Sequence, residues 1–396
     1  MLEGNLQTAI CCSISDGADR VDWSNLSSSS WEKLVDIADS QRVAPLLLWS
    51  FNNSNQTTRN LVPETIHKRL LLLYIDTTRR NLHLFRELEQ FSGLLNQQSI
   101  KTVVLKGAAL ANSVYEDNGL RPMADIDLLI PREKLSTAVE LANSIGFYDP
   151  YPEAGPGLKG ILSHHVYLRK EEPSPVQMEL HHTLVGGDAF RYNVLMDWFF
   201  TQVEPFSLLN LEKDKKYSNV FKLTPTAQIL FSAAHITLQH GLTASPLIWF
   251  YDLDRICRVD SDRINWDVLL EKAGEFHWDS SLSIALHQTR EKFNTPIPEE
   301  TLRQLYPENA HRYSSLIDLK AKPSRTRMQA EWKKIISLNW VGRLRLLTAL
   351  IFPSPAYMRY RYKFDESWKL PFFYFYRWGF IFLDGLRTTT HILIKK

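Results

Sequence analysis

Asp125 and Asp127 stand one residue apart in "DIDLLI" (125–130), where the other four residues are apolar. Side chains on a strand alternate faces, so the two carboxylates point the same way while Ile126, Leu128 and Ile130 turn into a core. Neighbouring carboxylates repel unless a cation sits between them. Hard divalent ions such as Mg²⁺ select oxygen donors and bring phosphates with them, which makes a metal site the economical reading. A third acid, Glu179, lies in "VQMELHH" (176–182), where Val176, Met178 and Leu180 alternate with Gln177, Glu179 and His181. On a neighbouring strand Glu179 supplies a third carboxylate, and three acids on adjacent strands can build a two-metal phosphoryl-transfer centre. His181 shares the face of Glu179 and is the candidate for an acceptor or leaving-group contact, with a structural role as the alternative for both His181 and His182.

A phosphate needs its own cradle, and "VVLKG" followed by "AALANSVY" offers one: a strand, a glycine at 107, then a helix. Backbone N–H groups at such a turn, together with the positive end of the helix dipole, suit an anion. Lys106 and Arg121 flank this site in sequence and are candidates for holding phosphate, although either can equally be an ordinary surface cation.

These residues need elements to position them. Ile66, Leu70, Leu73, Thr77, Leu84, Leu88, Phe91 and Leu95 recur mostly three or four apart, which predicts one long amphipathic helix ahead of the motif. The period then changes to short strands in "TVVL" and "DIDLLI", with a helix from Gly107 between them. Another helix opens at Pro131 and stops near Gly146. "HHVYLRK" (164–170) and "VQMELHH" flank the turn-rich "EEPSP", as antiparallel strands do. Beyond Pro205 the pattern is helical: Thr224 is a good N-cap with Pro225 at the first helical position, and "PLIWFYDLDRICRV" reads as a partner helix. His235, His240 and Asp252 have the composition of a helical metal site. Positions five apart on an α-helix do not share a face, however, so packing or capping is expected of them. Trp249, Phe250 and Tyr251 read as core.

Bulk properties narrow the class. The 396 residues suggest two or three packed units, and 44% apolar with 23% charged residues is a globular balance. Forty-six basic against 44 acidic side chains give no global case for nucleic-acid binding. Cys11, Cys12 and Cys257 have neither a disulfide framework nor zinc spacing, which fits a cytoplasmic setting. No basic n-region precedes the short apolar patch at the N-terminus, and no run of about 18 uncharged apolar residues occurs. The closest approach to such a run, "LPFFYFYRWGFIFL" (370–383), is broken by Pro371, Arg377 and Gly379. With "YMRYRYKF" before it, this tail mixes basic and aromatic residues and suits a membrane surface, a nucleic acid or a second hydrophobic core.

"LKGAAL", "RPMADIDLLI" and "MELHHTL" resemble the uncharacterised nucleotidyltransferase family within the DNA polymerase β-like superfamily. The resemblance extends from about residue 40 over most of the chain. It implies an α+β fold: a polymerase β-like core of mixed or antiparallel sheet with helices, flanked by helical segments. The expected divisions are an N-terminal helical region (1–98), the core (99–205), a helical domain (206–330) and an aromatic, basic helical tail (331–396). It further implies that Asp125 and Asp127 ligate Mg²⁺, or alternatively Mn²⁺, that Glu179 joins the second metal position, and that Gly107 borders the triphosphate. Many superfamily members carry a serine just after this glycine, where Ala108 and Ala109 stand here; phosphate gripping then falls to the backbone, Lys106 or Arg121. The expected activity is transfer of a nucleoside monophosphate from an NTP to an acceptor hydroxyl or phosphate, with release of pyrophosphate. The acceptor stays open among small molecules, sugar phosphates, peptides, proteins and RNA. The alternatives are a noncatalytic nucleotide-binding protein, or a membrane-peripheral accessory of envelope polysaccharide synthesis that touches the bilayer through 365–396.

Overall fold

The computed structural model describes residues 2–155, 163–185, 195–207, 218–240, 245–305, 335 and 340–393 as a mixed α+β fold. Helices α1 (Leu2–Asp16), α2 (Ser28–Ser40), α3 (Ala44–Asn52), α4 (Gln56–Leu61) and α5 (Glu64–Gln97) come first. Between α2 and α3 the chain reverses at Arg42, whose φ of 60° is left-handed, and Pro45 starts α3 in the first turn where its missing N–H costs nothing. The expected long helix is α5, whose 34 residues span about 50 Å. Its first half buries Ile66 and Leu70 among the other helices, and its second half buries Leu84, Leu88 and Phe91 against the sheet.

Strands β1 (Thr102–Val104), β2 (Ile126–Leu129), β3 (His165–Lys170), β4 (Val176–His181), β5 (Val203–Pro205) and β6 (Val220–Leu223) form one sheet in the order β3-β4-β2-β1-β6-β5. β3 and β4 are the expected antiparallel pair, β1 runs antiparallel to β2 and parallel to β6, and β2 runs parallel to β4. β5 and β6 carry no clear signal at three and four residues long, and β6 lies beyond 205 in the stretch read as helical. Alternation sends Val103, Leu129 and Leu223 to one core and Val104, Leu128 and Met178 to the other. Asp127 shares the face of Leu129.

α6 (Lys106–Ala111) begins one residue before the expected glycine and ends early, where the Ser113 hydroxyl bonds back to the Ala109 carbonyl at 2.7 Å. α7 (Leu135–Ser144) follows a 3₁₀ turn after Pro131. After the short α8 (Met196–Thr201), the second helical group comprises α9 (Pro225–Ala234), α10 (Leu247–Val259), α11 (Trp266–Glu275), α12 (Asp279–Phe293) and α13 (Glu299–Gln304). Pro225 takes the first position of α9 as expected, but the Thr224 side chain makes no cap bond. The sheet holds that residue instead, through its N–H to the Gln202 carbonyl at 3.0 Å.

α14 (Trp340–Ile351), α15 (Pro355–Tyr362) and α16 (Leu370–Leu393) complete the chain. The interrupted run at 370–383 lies in one continuous helix, because Pro371 sits in its first turn and buried Arg377 donates from Nε to the Leu350 carbonyl at 3.0 Å. Residues 306–334, 336–339 and 394–396, parts of the expected helical domain and tail, lie outside the described residues. Among the described residues no helix is long and apolar enough to cross a membrane.

The loop that delivers the two aspartates is tied to the middle of α5 by Asn81, which is fully buried. Its Nδ2 donates to the Arg121 carbonyl at 2.9 Å and to the Asn118 carbonyl at 2.5 Å, and its Oδ1 accepts the Met123 N–H at 3.2 Å. Gly119 completes the fit, since a Cβ there would collide with Thr78 and Tyr74 on the same helix. Asn81→Ala strands these backbone groups and is expected to cost about 2–3 kcal/mol, with faster amide exchange at 118–123. Urea unfolding and hydrogen exchange of the variant measure both effects.

Candidate active site

Asp127 and Glu179 are direct register partners across the parallel β2–β4 pair, so the sheet itself sets two carboxylates side by side. Asp125 precedes β2 by one residue and lines the same cavity. The Lys106 ammonium lies between them, 2.7 Å from Asp127 Oδ1 and 3.5 Å from Glu179 Oε2. It is aimed there by a left-handed backbone, with φ of 47°, at the residue joining β1 to α6. His181 is wholly buried, with Nε2 2.9 Å from Asp127 Oδ1 and 3.2 Å from Glu179 Oε2. On β3, opposite His181, stands His165, whose Nε2 is 3.5 Å from Glu179 Oε1 and whose Nδ1 is 3.0 Å from His164 Nε2.

Burial works against every charge here, and the neighbours decide the outcome. For Asp127 burial is the largest influence and opposes ionisation, yet the Lys106 charge and the His181 hydrogen bond outweigh it and hold the carboxyl below its ordinary value. Glu179 is likewise lowered against burial, by His181 and Lys106. Asp125 goes the other way: burial and the charge of Asp127 push it up to about 7. Burial brings His165 down to about 4 and lowers His164 as well, so both rings are neutral at pH 7. Lys106 is raised, because Asp127 and Glu179 overcome its desolvation.

Gly107 has a steric reason in this setting: a Cβ would sit 2.5 Å from Arg121 Nη1 and 3.2 Å from Met123 Cγ. Arg121 is buried, and it lines the cavity with its guanidinium fixed to Asp252 of α10 through Nη2 at 2.7 Å and Nε at 3.3 Å. Tyr115 donates to the same carboxylate at 2.6 Å. Asp252 is therefore a partner of the sheet loop, as expected of a packing residue.

His235 and His240 depart from expectation. Residues His235–His240 wind as a π-helix, whose wider turn brings residues five apart onto one face. The two imidazoles lie 4.6 Å apart by ring centroid, and each is 4.7 Å from Trp249. All three line a cavity of about 510 Å³ opposite the acids, whereas Phe250 and Tyr251 are core. Burial lowers both histidines, and Lys106 adds to the effect. Sequence reasoning also passed over His164, His165 and Arg42. The signal available for the first two was the paired "HH" at 164–165 and 181–182, which an antiparallel hairpin brings together at its open end; for Arg42, whose left-handed turn sets it at the cavity, there was none.

The donor set fits a divalent cation. Ligand atoms of Asp127, Glu179 and His181 lie within 4.8 Å of one another, as do those of His164, His165 and His181. Asp125, raised by burial and then by the charge of Asp127, adds a carboxyl group to the same cavity. A family model described as an uncharacterised nucleotidyltransferase matches residues 27–294, the span from just before α2 to just after α12. No curated protein matches the chain.

Lys106→Met removes the ammonium between the acids and is expected to destabilise the metal-free chain by about 3 kcal/mol at pH 8. Millimolar Mg²⁺ or Mn²⁺ should recover much of that loss in a thermal melt. Asp125 adds a pH dependence. Its pKa in the fold exceeds its unfolded value, so its proton stabilises the metal-free fold at low pH, and that contribution disappears as pH rises through about 7. The same proton competes with a cation, so divalent affinity by calorimetry should rise up to about tenfold per pH unit below 7 and level off above it. Asp125→Asn should flatten that profile.

Proposed function

This chain belongs to the uncharacterised nucleotidyltransferase family, and from that membership and the site's geometry we propose that it transfers a nucleoside monophosphate from an NTP to an acceptor hydroxyl or phosphate in a Mg²⁺-dependent reaction. The observation that carries the reading is the pairing of Asp127 with Glu179 in register, with Asp125 two residues upstream on the same cavity. Asp125 and Asp127 would hold the metal, and Glu179 completes the second position. Bound there, Mg²⁺ supplies Lewis-acid charge against the triphosphate.

The chain's own groups do the rest. The acceptor oxygen attacks the α-phosphorus, the bond to the β-phosphate oxygen breaks, and pyrophosphate leaves. Glu179 accepts a hydrogen bond from the attacking hydroxyl and orients it, and the proton released on attack passes to water. Because His181 bonds Asp127 and Glu179 from a fully buried position, it fixes the two carboxylates relative to each other, which suits a positioning role better than acceptor contact. Lys106 brings positive charge to the phosphates from beside Gly107. Arg121 adds charge at the cavity wall while Asp252 holds two of its nitrogens. The neutral surface of His235, His240 and Trp249 suits a flat ring, a nucleobase or the acceptor.

The test is a panel of α-labelled ATP, GTP, CTP and UTP with Mg²⁺ or Mn²⁺, offered to the protein with a lysate of its own cells. Label should move to a lysate component or to the protein itself, and Asp127→Asn should abolish the transfer while keeping the wild-type circular dichroism. Metal-dependent NTP binding without transfer would favour the noncatalytic reading, for which the alanines after Gly107 speak. Normal transfer by Asp127→Asn would sink the assignment.

A further inference from the structure

The C-terminal helices carry a surface that nucleotidyl transfer does not use and that lies outside the matched span. On α14, Trp340, Leu344, Leu347 and Ile351 repeat at four, three and four residues, and all four are exposed, Trp340 at 77%. On α16, Phe372, Phe375, Tyr376, Phe382 and Leu383 form a second exposed stripe, with each of the three phenylalanines 67% exposed. The two stripes join. Trp378 donates from Nε1 to the Ile351 carbonyl at 2.7 Å, and its ring meets exposed Phe352 edge-on at 5.7 Å and Phe375 at 5.3 Å. Arg377 and Tyr374 anchor the same junction to the Leu350 and Pro353 carbonyls. A soluble protein rarely leaves so many contiguous large apolar side chains in water without a use for them.

The charge around this face says what covers it. Residues 340–369 carry Arg343, Arg345, Arg359, Arg361, Lys363 and Lys369 against only Asp365 and Glu366. Exposed Trp340, Trp368, Tyr360 and Tyr376 add the amphipathic rings that favour a lipid–water boundary. A symmetric second copy docked on this face would bring two sets of these cations together, a repulsive arrangement. Anionic headgroups would neutralise them instead. Among the described residues no helix is long and apolar enough to cross a bilayer, which leaves docking in the plane of the surface as the mode open to this face.

We propose that α14 and α16 form a peripheral membrane-docking face, which inserts its exposed aromatic stripes among the acyl chains of an anionic leaflet while the surrounding arginines and lysines bind the headgroups. The surface depends on no residue of the acid site.

The test is flotation of the full chain with phosphatidylcholine vesicles, with and without one-third phosphatidylglycerol, alongside its molar mass by light scattering. The expected result is retention at least tenfold higher on the anionic vesicles. Phe372→Ser/Phe375→Ser/Phe382→Ser should abolish retention on both compositions, and Arg345→Glu/Arg361→Glu should reduce only the anionic preference. These side chains are exposed, so the melting temperature of each variant should match the wild type, and NTP binding in the same samples reports separately on the acid site. Equal, weak retention of wild type and variants overturns the proposal. A dimer that the phenylalanine variant dissociates also overturns it, by assigning the face to a second copy.

Discussion

Pairing β2 with β4 in parallel puts Asp127 directly opposite Glu179, and Asp125 follows from the chain direction. The register concentrates negative charge where burial weakens its hydration, so the surroundings must answer the repulsion. Lys106 answers it by adopting a left-handed backbone that few side chains accept, and His181 answers it from two residues further along β4, with a ring nitrogen between the two acids. A slip of one residue in the β2–β4 register would turn the acids into the opposite apolar core. The Ile126, Leu128, Met178 and Leu180 side chains on that other face oppose such a slip as firmly as the charges require the native register.

The sheet alone does not make a cavity. Its acid face is roofed by α9, the π segment and α10, and the two halves are joined by Arg121 reaching from the loop before β2 to Asp252 on α10. The same loop is tied from the other side by Asn81 on α5. One short stretch, 118–123, is thus gripped by a buried amide and a buried ion pair, and Gly107 and Gly119 allow the close approach on each side. The position of Asp125 and Asp127 is set by polar contacts made just upstream of them.

How much of this could be read from the chain depends on which contacts are local. Alternation within "DIDLLI" and "VQMELHH" is a property of neighbouring residues, so the facing of Asp125, Asp127 and Glu179 was legible. The α5 stripe and the β3–β4 hairpin were legible for the same reason. Asn81 was not: it breaks the apolar repeat of α5, and its worth appears only once the 118–123 loop lies beside it. Lys106 gave no hint of its backbone conformation, and the pairing of Arg121 with Asp252 was not legible because the two are 131 residues apart. β5 and β6 are too short to carry a period. The pairing of His235 with His240 was misread because a helical period of 3.6 was assumed where the chain winds wider.

That wider winding carries a consequence for how the wall can change. A π turn amounts to one residue inserted into an α-helix. Losing a single residue between 235 and 240 would let the helix close up in ordinary α form and leave the two histidines four apart, a spacing that again shares one face. Both rings would stay on the cavity side, and the acids on the sheet would be untouched. The roof and the floor of the pocket therefore answer to separate rules: the floor is locked by strand register, while the roof tolerates a change in the length of one helix.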